Sequence, residues 1–393
     1  MRLAEHDSCT GCGACAAVCP KQAIGWKNDA AGFPVPAVDA ALCVDCGACE
    51  RACPALNPPV CSPIRKAYAA QLKNHPAALG ESTSGGVFTA LALEVFARGG
   101  VVYGCVWTPD CRAEIARAEN EAELAPMRGS KYVWSSAFSA YARVREDLDA
   151  GRTVLFSGLP CQIAGLKKTL RKEYEGLVLL DHLCAGAPSP MALDLYLDTI
   201  CKKEDRPALN LKFRDKNPGG VGVHITWTGQ QNPARRKAEH LRNPYYYAFY
   251  THLSIRSSCY TCSYGGENRA ADLTMGDFWG ISKVFPDMKI KDGVSALLVN
   301  SEKGAALLEK VAGSLELRAV EPAQIAAANN LFVGGKTRRF TVPANRAAFF
   351  EVLAAHGWAD AEKRFLHNRG RSLRLIKALL PPGISGLIGK FIK

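Results

Sequence analysis

Cys9-Thr-Gly-Cys12-Gly-Ala-Cys15-Ala-Ala-Val-Cys19-Pro20 opens the sequence, and Cys43-Val-Asp-Cys46-Gly-Ala-Cys49-Glu-Arg-Ala-Cys53-Pro54 repeats its spacing. Both copies have the form C-x2-C-x2-C-x3-C-P, in which three cysteines bind one [4Fe–4S] cluster and the fourth binds the other. Thiolates spaced in this way reach neighbouring corners of a cubane, and the glycines let the backbone wrap around it. The predicted ligands are Cys9, Cys12, Cys15 and Cys53 for cluster 1, and Cys43, Cys46, Cys49 and Cys19 for cluster 2.

Two other cysteine chemistries explain this pattern less well. A zinc site takes its four ligands as two pairs, and not as runs of three plus one. A disulfide framework needs an oxidising compartment, and the stretch Met1–Asp7 lacks the apolar run of a signal peptide. Sixteen cysteines without an export signal predict a reducing, cytoplasmic setting. No stretch approaches the roughly 18 apolar residues of a transmembrane helix.

The charge of the chain is high, at a formal +12 for 393 residues. Each oxidised [4Fe–4S] cluster with four thiolates contributes about −2, so the loaded chain is less basic than its sequence. The basic residues are spread along the chain, without the stripe of Arg, Lys and aromatic side chains that marks a nucleic-acid groove. We therefore expect no nucleic-acid partner. Anionic cofactors, an acidic redox partner or a membrane surface match the charge better.

A proline-rich linker ends near residue 62, and strands then alternate with helices. This alternation predicts an α/β domain with a mixed, partly parallel sheet, so the fold class is a small 2[4Fe–4S] ferredoxin-like domain followed by an α/β domain. The predicted regions are the ferredoxin domain and linker (1–62), an α/β region with flavin and cluster loops (63–205), a region with the Cys-x-x-Cys pair and the Gly-Asp-Phe-Trp-Gly loop (206–353), and a basic tail (354–393).

Four later cysteines stand in polar loops marked by glycine or proline. They are Cys161, Cys184, Cys259 and Cys262. Cys161 and Cys184 follow apolar strands, at the edge where an α/β sheet places its ligands, and Cys259-Tyr-Thr-Cys262 adds a pair. We predict a third [4Fe–4S] cluster here, with zinc as the alternative by ligand count. Cysteines without such company are predicted to be structural: Cys61, Cys105, Cys111 and Cys201.

A glycine-rich turn precedes the predicted helix 87–97. It offers hydroxyls and unpaired backbone N–H groups to an anion such as the pyrophosphate of FAD, although an ordinary helix cap is the alternative. Arg214 and Lys216 are candidates for contacting an anionic substrate. The predicted cofactor-binding residues are Ser84, Gly85, Gly86, Lys131, Tyr132, Arg214 and Trp279. The candidates for catalysis are Lys131 and Asp277, and the alternative for Asp277 and Trp279 is that they pack a turn.

Four stretches follow one another along the chain: Ser84-Gly-Gly-Val-Phe-Thr-Ala-Leu91, Gly129-Ser-Lys-Tyr132, Gly158-Leu-Pro-Cys-Gln-Ile-Ala-Gly-Leu-Lys167, and Cys259-x-x-Cys262 with Ala271-Asp-Leu-Thr-Met-Gly-Asp-Phe-Trp-Gly280. In this order, over about residues 65 to 350, the chain resembles the coenzyme F420 hydrogenase/dehydrogenase beta-subunit family. The resemblance implies FAD, a [4Fe–4S] cluster, and two-electron exchange with a deazaflavin or another reducible organic substrate. The fused ferredoxin is similar to the arrangement in F420H2 dehydrogenase input subunits.

The sequence therefore predicts an iron–sulfur flavoprotein oxidoreductase that works with a redox partner protein or a low-potential electron donor. Family resemblance leaves the organic substrate open. One alternative is an electron-relay subunit that binds clusters but no flavin, and another is a zinc-stabilised nucleic-acid binder. The basic and apolar tail, residues 373–393, predicts either a terminal helix packed on the core or a contact with a membrane surface or a partner.

Overall fold

The computed structural model describes residues 3–201, 209–216, 224–229, 236–239, 243–328 and 340–366. The tail segment 373–393 lies outside these residues. The strands are β1 (Ile24–Asn28), β2 (Pro34–Val38), β3 (Lys66–Leu72), β4 (Val101–Trp107), β5 (Ala113–Ala118), β6 (Ser135–Ser136), β7 (Val154–Ser157), β8 (Leu177–His182), β9 (Leu209–Asp215), β10 (His224–Thr228), β11 (Arg236–Glu239), β12 (Leu273–Asp277), β13 (Ser295–Val299) and β14 (Leu315–Val320).

The helices include the one predicted at residues 87–97, which is α4. They are α1 (Ala14–Ala17), α2 (Ala48–Arg51), α3 (Pro76–Glu81), α4 (Val87–Ala97), α5 (Glu121–Leu124), α6 (Phe138–Asp149), α7 (Pro160–Leu170), α8 (Pro190–Ile200), α9 (Pro244–Tyr250), α10 (Glu302–Val311), α11 (Pro322–Ala328) and α12 (Arg346–Phe365). The helix α7 ends at Leu170, because Arg171 takes a left-handed conformation with φ of 63°. In the part of the chain that the structure describes, no helix has the length and apolar character needed to cross a membrane.

The N-terminal region, residues 8–57, contains the two cysteine runs, a hairpin and two one-turn helices. The strands β1 and β2 pair antiparallel. Each short helix begins directly after a glycine in the left-handed region, Gly13 before α1 and Gly47 before α2. The two runs thus have the same local backbone as well as the same spacing, as expected for a duplicated cluster-binding unit.

The larger region is organised around a mixed sheet, as predicted, and this sheet has nine strands. Their order is β14-β3-β13-β12-β8-β7-β4-β5-β6. The neighbours β12, β8, β7 and β4 are parallel, whereas β14, β3, β13 and β12 form antiparallel pairs. The sheet therefore joins strands from before and after residue 205. Its parallel centre directs the ends of β7, β8 and β12 to one edge, where ligands of such sheets bind.

Helices cover both faces of this sheet. Leu155 of β7 packs in a core with Leu91 of α4 and Leu307 of α10. Its neighbour Phe156 points to the other face and packs with residues of α6 and α7, among them Val144. The strand is buried on both faces, which explains its uninterrupted apolar sequence.

A second, three-stranded sheet of order β11-β10-β9 lies beside the large one. Its inner residues pack in an aromatic core with α8, α9 and α12, which includes Phe213, Tyr245 and Trp358. The helix α12 is interrupted at Gly357, whose φ of 79° breaks the helical path. The helix α9 begins at Pro244, ends at Tyr250 and is rich in aromatic residues.

Candidate functional site

The first two cysteine sets each surround a pocket. A pocket of about 390 Å³ is lined by the four residues predicted for cluster 1: Cys9, Cys12, Cys15 and Cys53. A pocket of about 330 Å³ is lined by those predicted for cluster 2: Cys19, Cys43, Cys46 and Cys49. The fourth cysteine of each run thus crosses to the other pocket. Cys46 is exposed, so the second pocket lies at the protein surface.

The third cysteine set also surrounds one pocket, of about 760 Å³, lined by Cys161, Cys184, Cys259 and Cys262. Cys161 lies in the first turn of α7, and Cys184 follows the end of β8. Two sulfur atoms accept backbone hydrogen bonds: Gly186 N–H donates to Cys184 Sγ at 3.4 Å, and Tyr264 N–H donates to Cys262 Sγ at 3.5 Å. N–H···S contacts of this kind stabilise the charge of cluster thiolates.

These thiols are too buried to ionise readily in the chain alone. Burial raises the pKa of Cys184 to about 12 and that of Cys259 to about 11. A bound metal deprotonates such thiols outright, so the pocket suits a metal that supplies positive charge. Among the residues described, no three His, Cys, Asp or Glu side chains form a group that could hold a single metal ion. A [4Fe–4S] cubane does not need three protein ligands around one ion, because each of its four iron atoms takes one of the four thiolates.

The pockets of the first and third sets lie close together. Tyr141 on α6, fully buried, donates its hydroxyl to Cys12 O at 2.9 Å and to Gln162 O at 3.0 Å. Gly165 on α7 faces Cys12, and a Cβ atom added at Gly165 would lie 3.0 Å from Cys12 Cβ. The glycine therefore allows the first cysteine run to pack directly on the helix that carries Cys161.

A large cavity of about 1580 Å³ lies at the carboxyl edge of the parallel strands. Ser157, His182 and Asp277, the last residues of β7, β8 and β12, all line it. Its lining also includes the predicted residues Ser84, Gly86, Lys131, Tyr132, Arg214 and Trp279. The structure thus brings six of the seven predicted cofactor-binding residues together around one space, at the sheet edge where α/β proteins bind ligands, whereas Gly85 does not line it.

The glycine-rich turn forms one end of this cavity. Gly85 N–H donates to Ser295 Oγ at 2.9 Å, and Gly85 O accepts from Leu72 N–H at 2.7 Å. A Cβ atom at Gly85 would lie 2.2 Å from Ala70 O, so only glycine fits against β3. The helix α4 begins after this turn without a side-chain cap, which leaves its first N–H groups directed at the cavity.

The two predicted lysines both hold backbone carbonyls. Lys131 Nζ donates to the carbonyls of Pro126, Arg128 and Gly129 at 2.8, 3.2 and 3.1 Å. Lys216 Nζ donates in the same way to Ser84 O at 2.9 Å. Burial lowers the pKa of each ammonium to about 8. These contacts fix the loops that line the cavity, and they give both amines a structural role next to the cofactor space.

Arg214 also lines the cavity and is 6% exposed. Its Nη1 donates to Asp277 Oδ2 at 2.7 Å and to the Tyr132 hydroxyl at 3.4 Å. The guanidinium also lies 5.3 Å from the centre of the Trp279 ring, which is 53% exposed. The predicted residues therefore form one connected group, in which Asp277 orients the arginine and Trp279 covers it from the solvent side.

Ser157 and His182 are among the polar residues of the cavity that the sequence did not indicate. Their side chains meet, with Oγ and Nε2 3.3 Å apart. Enclosure of the imidazole lowers the pKa of His182 to about 4, so the ring is neutral near pH 7. The rule that placed Cys161 and Cys184 after strands could also have identified these residues, because each is the last residue of its strand.

The cavity and the third cysteine pocket share a wall. Leu159, Cys184 and Gly186 line both spaces. A ligand in the cavity would therefore contact the protein segment that carries a cysteine of the third set.

Of the cysteines predicted to be structural, Cys105 also lines the cavity, Cys111 and Cys201 are buried, and Cys61 is exposed on the surface.

Comparison with known proteins gives two matches to protein families. Residues 151–323 match the family that represents the C terminus of the coenzyme F420 hydrogenase/dehydrogenase beta subunit. Residues 8–57 match the 4Fe-4S dicluster domain, which confirms the prediction of iron–sulfur clusters in the N-terminal region.

Among solved structures, the xenon-derivatised F420-reducing [NiFe] hydrogenase complex from Methanosarcina barkeri contains a similar chain. The similarity covers 70% of this chain and 87% of that chain, with 15% sequence identity and a TM-score of 0.46. No curated protein matches this chain.

Proposed function

We propose that this chain, whose residues 151–323 match the C terminus of the coenzyme F420 hydrogenase/dehydrogenase beta subunit and whose residues 8–57 match the 4Fe-4S dicluster domain, is an iron–sulfur flavoprotein oxidoreductase of that family. It exchanges electrons between a reduced organic cofactor or substrate, such as a deazaflavin, and its clusters. The observation that carries the proposal is the shared wall between the large cavity and the third cysteine pocket. A cofactor in the cavity would therefore adjoin a cluster in that pocket.

The lining of the cavity fits FAD. The uncapped N-terminus of α4 and the backbone of Gly86 present N–H groups to a pyrophosphate, and the aromatic rings of Tyr132 and Trp279 present surfaces to a flavin ring. FAD, when bound, converts two-electron hydride chemistry into the one-electron steps that [4Fe–4S] clusters accept. Lys131 and Lys216 hold the cavity loops in shape, and Asp277 keeps Arg214 oriented toward the cavity.

The third cysteine pocket fits a [4Fe–4S] cluster. Cys184 lies at the end of β8 and Cys161 at the start of α7, and the segment Cys259–Cys262 supplies the other two thiols. The N–H···S contacts match the charge of bound thiolates. With this third site the cysteine pockets form a series, in which the exposed set at Cys46 is available to a redox partner protein. The cysteine content leads us to propose a reducing, cytoplasmic location.

Chemical analysis of anaerobically purified protein tests the proposal. We expect one FAD and about twelve iron atoms per chain, with matching sulfide, because each cubane holds four irons. Stoichiometric iron without flavin would support the relay alternative instead. A screen with reduced deazaflavin, reduced ferredoxin and NADH as donors then identifies the substrate class, since an active organic donor should bleach the flavin before the clusters.

A further inference from the structure

Arg256 joins the first cysteine run to the loop of the third set. Its Nε donates to Cys9 O at 2.8 Å, and its Nη2 donates to Pro34 O at 3.0 Å. The same Nη2 lies 3.8 Å from Cys9 Sγ, within N–H···S distance. Arg256 itself stands three residues before Cys259, and Cys259 N–H donates to Arg256 O at 3.0 Å. One side chain thus contacts a ligand of cluster 1 from the segment that carries two ligands of the third set.

The guanidinium is buried without a counterion. Arg256 is 3% exposed, and among the described residues it makes no ion pair with a carboxylate. Its Nη1 is buried with no hydrogen-bond partner. Burying an unpaired charge is costly, so such a group needs a negative charge, which no carboxylate of the described residues provides. Clusters ligated by four thiolates carry that negative charge.

The position of Nη1 shows where this charge is directed. A Cβ atom at Gly11 would lie 2.9 Å from Nη1, so the unpartnered nitrogen lies against the loop between Cys9 and Cys12. Arg256 and Gly11 also line the pocket of the third cysteine set. The guanidinium therefore lines the third cysteine pocket and lies against Cys9 and Gly11, which line the first.

We propose that Arg256 is a shared cation of cluster 1 and the third cluster, which fastens the ferredoxin region to the α/β domain and raises the reduction potential of both clusters. This inference rests on the proposed third cluster. Reduction adds one electron to a cluster, breaks no bond, and makes the charge about one unit more negative. A fixed positive charge and an N–H···S contact in a buried setting stabilise that reduced state.

Redox titration of variants tests the inference. Arg256→Gln, Arg256→Lys and Arg346→Gln are titrated with dithionite under EPR detection, and iron is counted in each. Arg346 is the matched control, because it donates to Ile255 O at 2.8 Å and contacts the Tyr260 ring, but does not line a cysteine pocket. We expect Arg256→Gln to make the reduction equilibrium of two clusters at least tenfold less favourable. For a one-electron step this lowers each potential by about 59 mV or more.

The other variants sharpen the result. Arg256→Lys should give a smaller shift, because it keeps the charge and loses the two-pronged contact, and Arg346→Gln should give almost none. Unchanged potentials in Arg256→Gln at full iron content would overturn the inference alone. About eight irons in the wild-type protein would overturn the third cluster and the shared-cation proposal together.

If the Arg256→Gln variant does not assemble its clusters, a measurement on the wild-type protein still tests the proposal. The wild-type protein is labelled with ¹⁵N-arginine, and its reduced clusters are examined by pulsed EPR. We expect a ¹⁵N coupling that disappears in Arg256→Lys. Absence of this coupling from the wild-type protein would overturn the proposal.

Discussion

The N-terminal region and the cavity edge of the large sheet build their sites in different ways. In residues 8–57, all eight predicted cluster ligands come from two short runs, and in each run a glycine in the left-handed region precedes a one-turn helix. At the cavity edge, the lining residues come from strands and loops between Ser82 and Ser295, brought together by the order of the sheet. The first site depends on local spacing, and the second depends on the whole α/β domain.

The two regions also differ in the solvent exposure of the arginine that lies next to their cysteines. Cys46, in the outermost pocket, is exposed, and the nearby Arg51 is exposed to solvent as well. Arg256, in contrast, is buried between the two inner cysteine pockets. Water screens charges at the surface and leaves buried ones strong. The outer site therefore suits exchange with a partner protein, and the inner sites suit control of the potential by the protein itself.

The largest effect expected from this comparison is that of Gly85→Ala. The new methyl group would meet Ala70 O at 2.2 Å and Ser295 N at 2.7 Å, both backbone atoms of the sheet. We expect a loss of about 2–4 kcal/mol in the free energy of unfolding and weaker FAD binding. The iron bound by residues 8–57 should remain, because that site is built locally.

Gly80→Ala is the matched control for this change. Gly80 lies in α3, and nothing stands within 4 Å of a Cβ atom there. Alanine is the better helix former by about 0.5–1 kcal/mol, so this variant should be as stable as the wild type or more stable. Equal unfolding midpoints for the two variants would show that the turn is not packed as described.

A medium effect is expected for Tyr141→Phe, which removes the hydroxyl that connects the two regions. Two buried carbonyls, of Cys12 and Gln162, lose their donor. We expect a loss of about 1–2 kcal/mol and faster proteolysis of the linker 54–65. In the control Tyr174→Phe, the hydroxyl contacts the exposed Asp149 at 2.9 Å, and the loss should stay below about 0.5 kcal/mol. Linker proteolysis at the wild-type rate would contradict the inference that this contact holds the two regions together.

The smallest effect is expected for Arg51→Gln, at the outer pocket. Arg51 Nη2 donates to Cys46 O at 3.1 Å in an exposed position. Loss of this charge should lower the potential of cluster 2 and change its reduction equilibrium by less than tenfold. Added salt should abolish this shift, because salt screens surface charges. The shift in Arg256→Gln should persist in salt. A salt-independent Arg51 effect as large as that of Arg256 would remove the distinction between surface and buried sites.

The sequence predicted what local spacing and strand ends can encode. The spacing of the two cysteine runs predicts the ligand sets of the first two clusters, and Cys161 and Cys184 are predicted ligands because they follow apolar strands, which are β7 and β8. The mixed sheet was predicted from the same alternation, and the structure confirms it. These features depend on residues that are close together in the sequence, so they can be recognised from the sequence alone.

Contacts between distant segments could not be predicted in this way. Arg256 stands in Ile-Arg-Ser-Ser-Cys, where nothing indicates that its side chain reaches Cys9, 247 residues earlier. Lys131 had a pattern typical of an anion contact, but its ammonium holds three carbonyls, whose directions depend on the tertiary fold. Tyr141 had no motif at all, and only the packing of α6 against the first cysteine run gives it a role.

The iron content of Cys161→Ser, compared with Cys61→Ser, tests the central claim most directly. Cys161 lines the third pocket, whereas Cys61 is exposed and lines none of the three cysteine pockets. The account predicts that Cys161→Ser loses about four irons per chain and uncouples flavin from cluster reduction, while Cys61→Ser keeps the wild-type content. Unchanged iron in Cys161→Ser would contradict a third cluster beside the cavity.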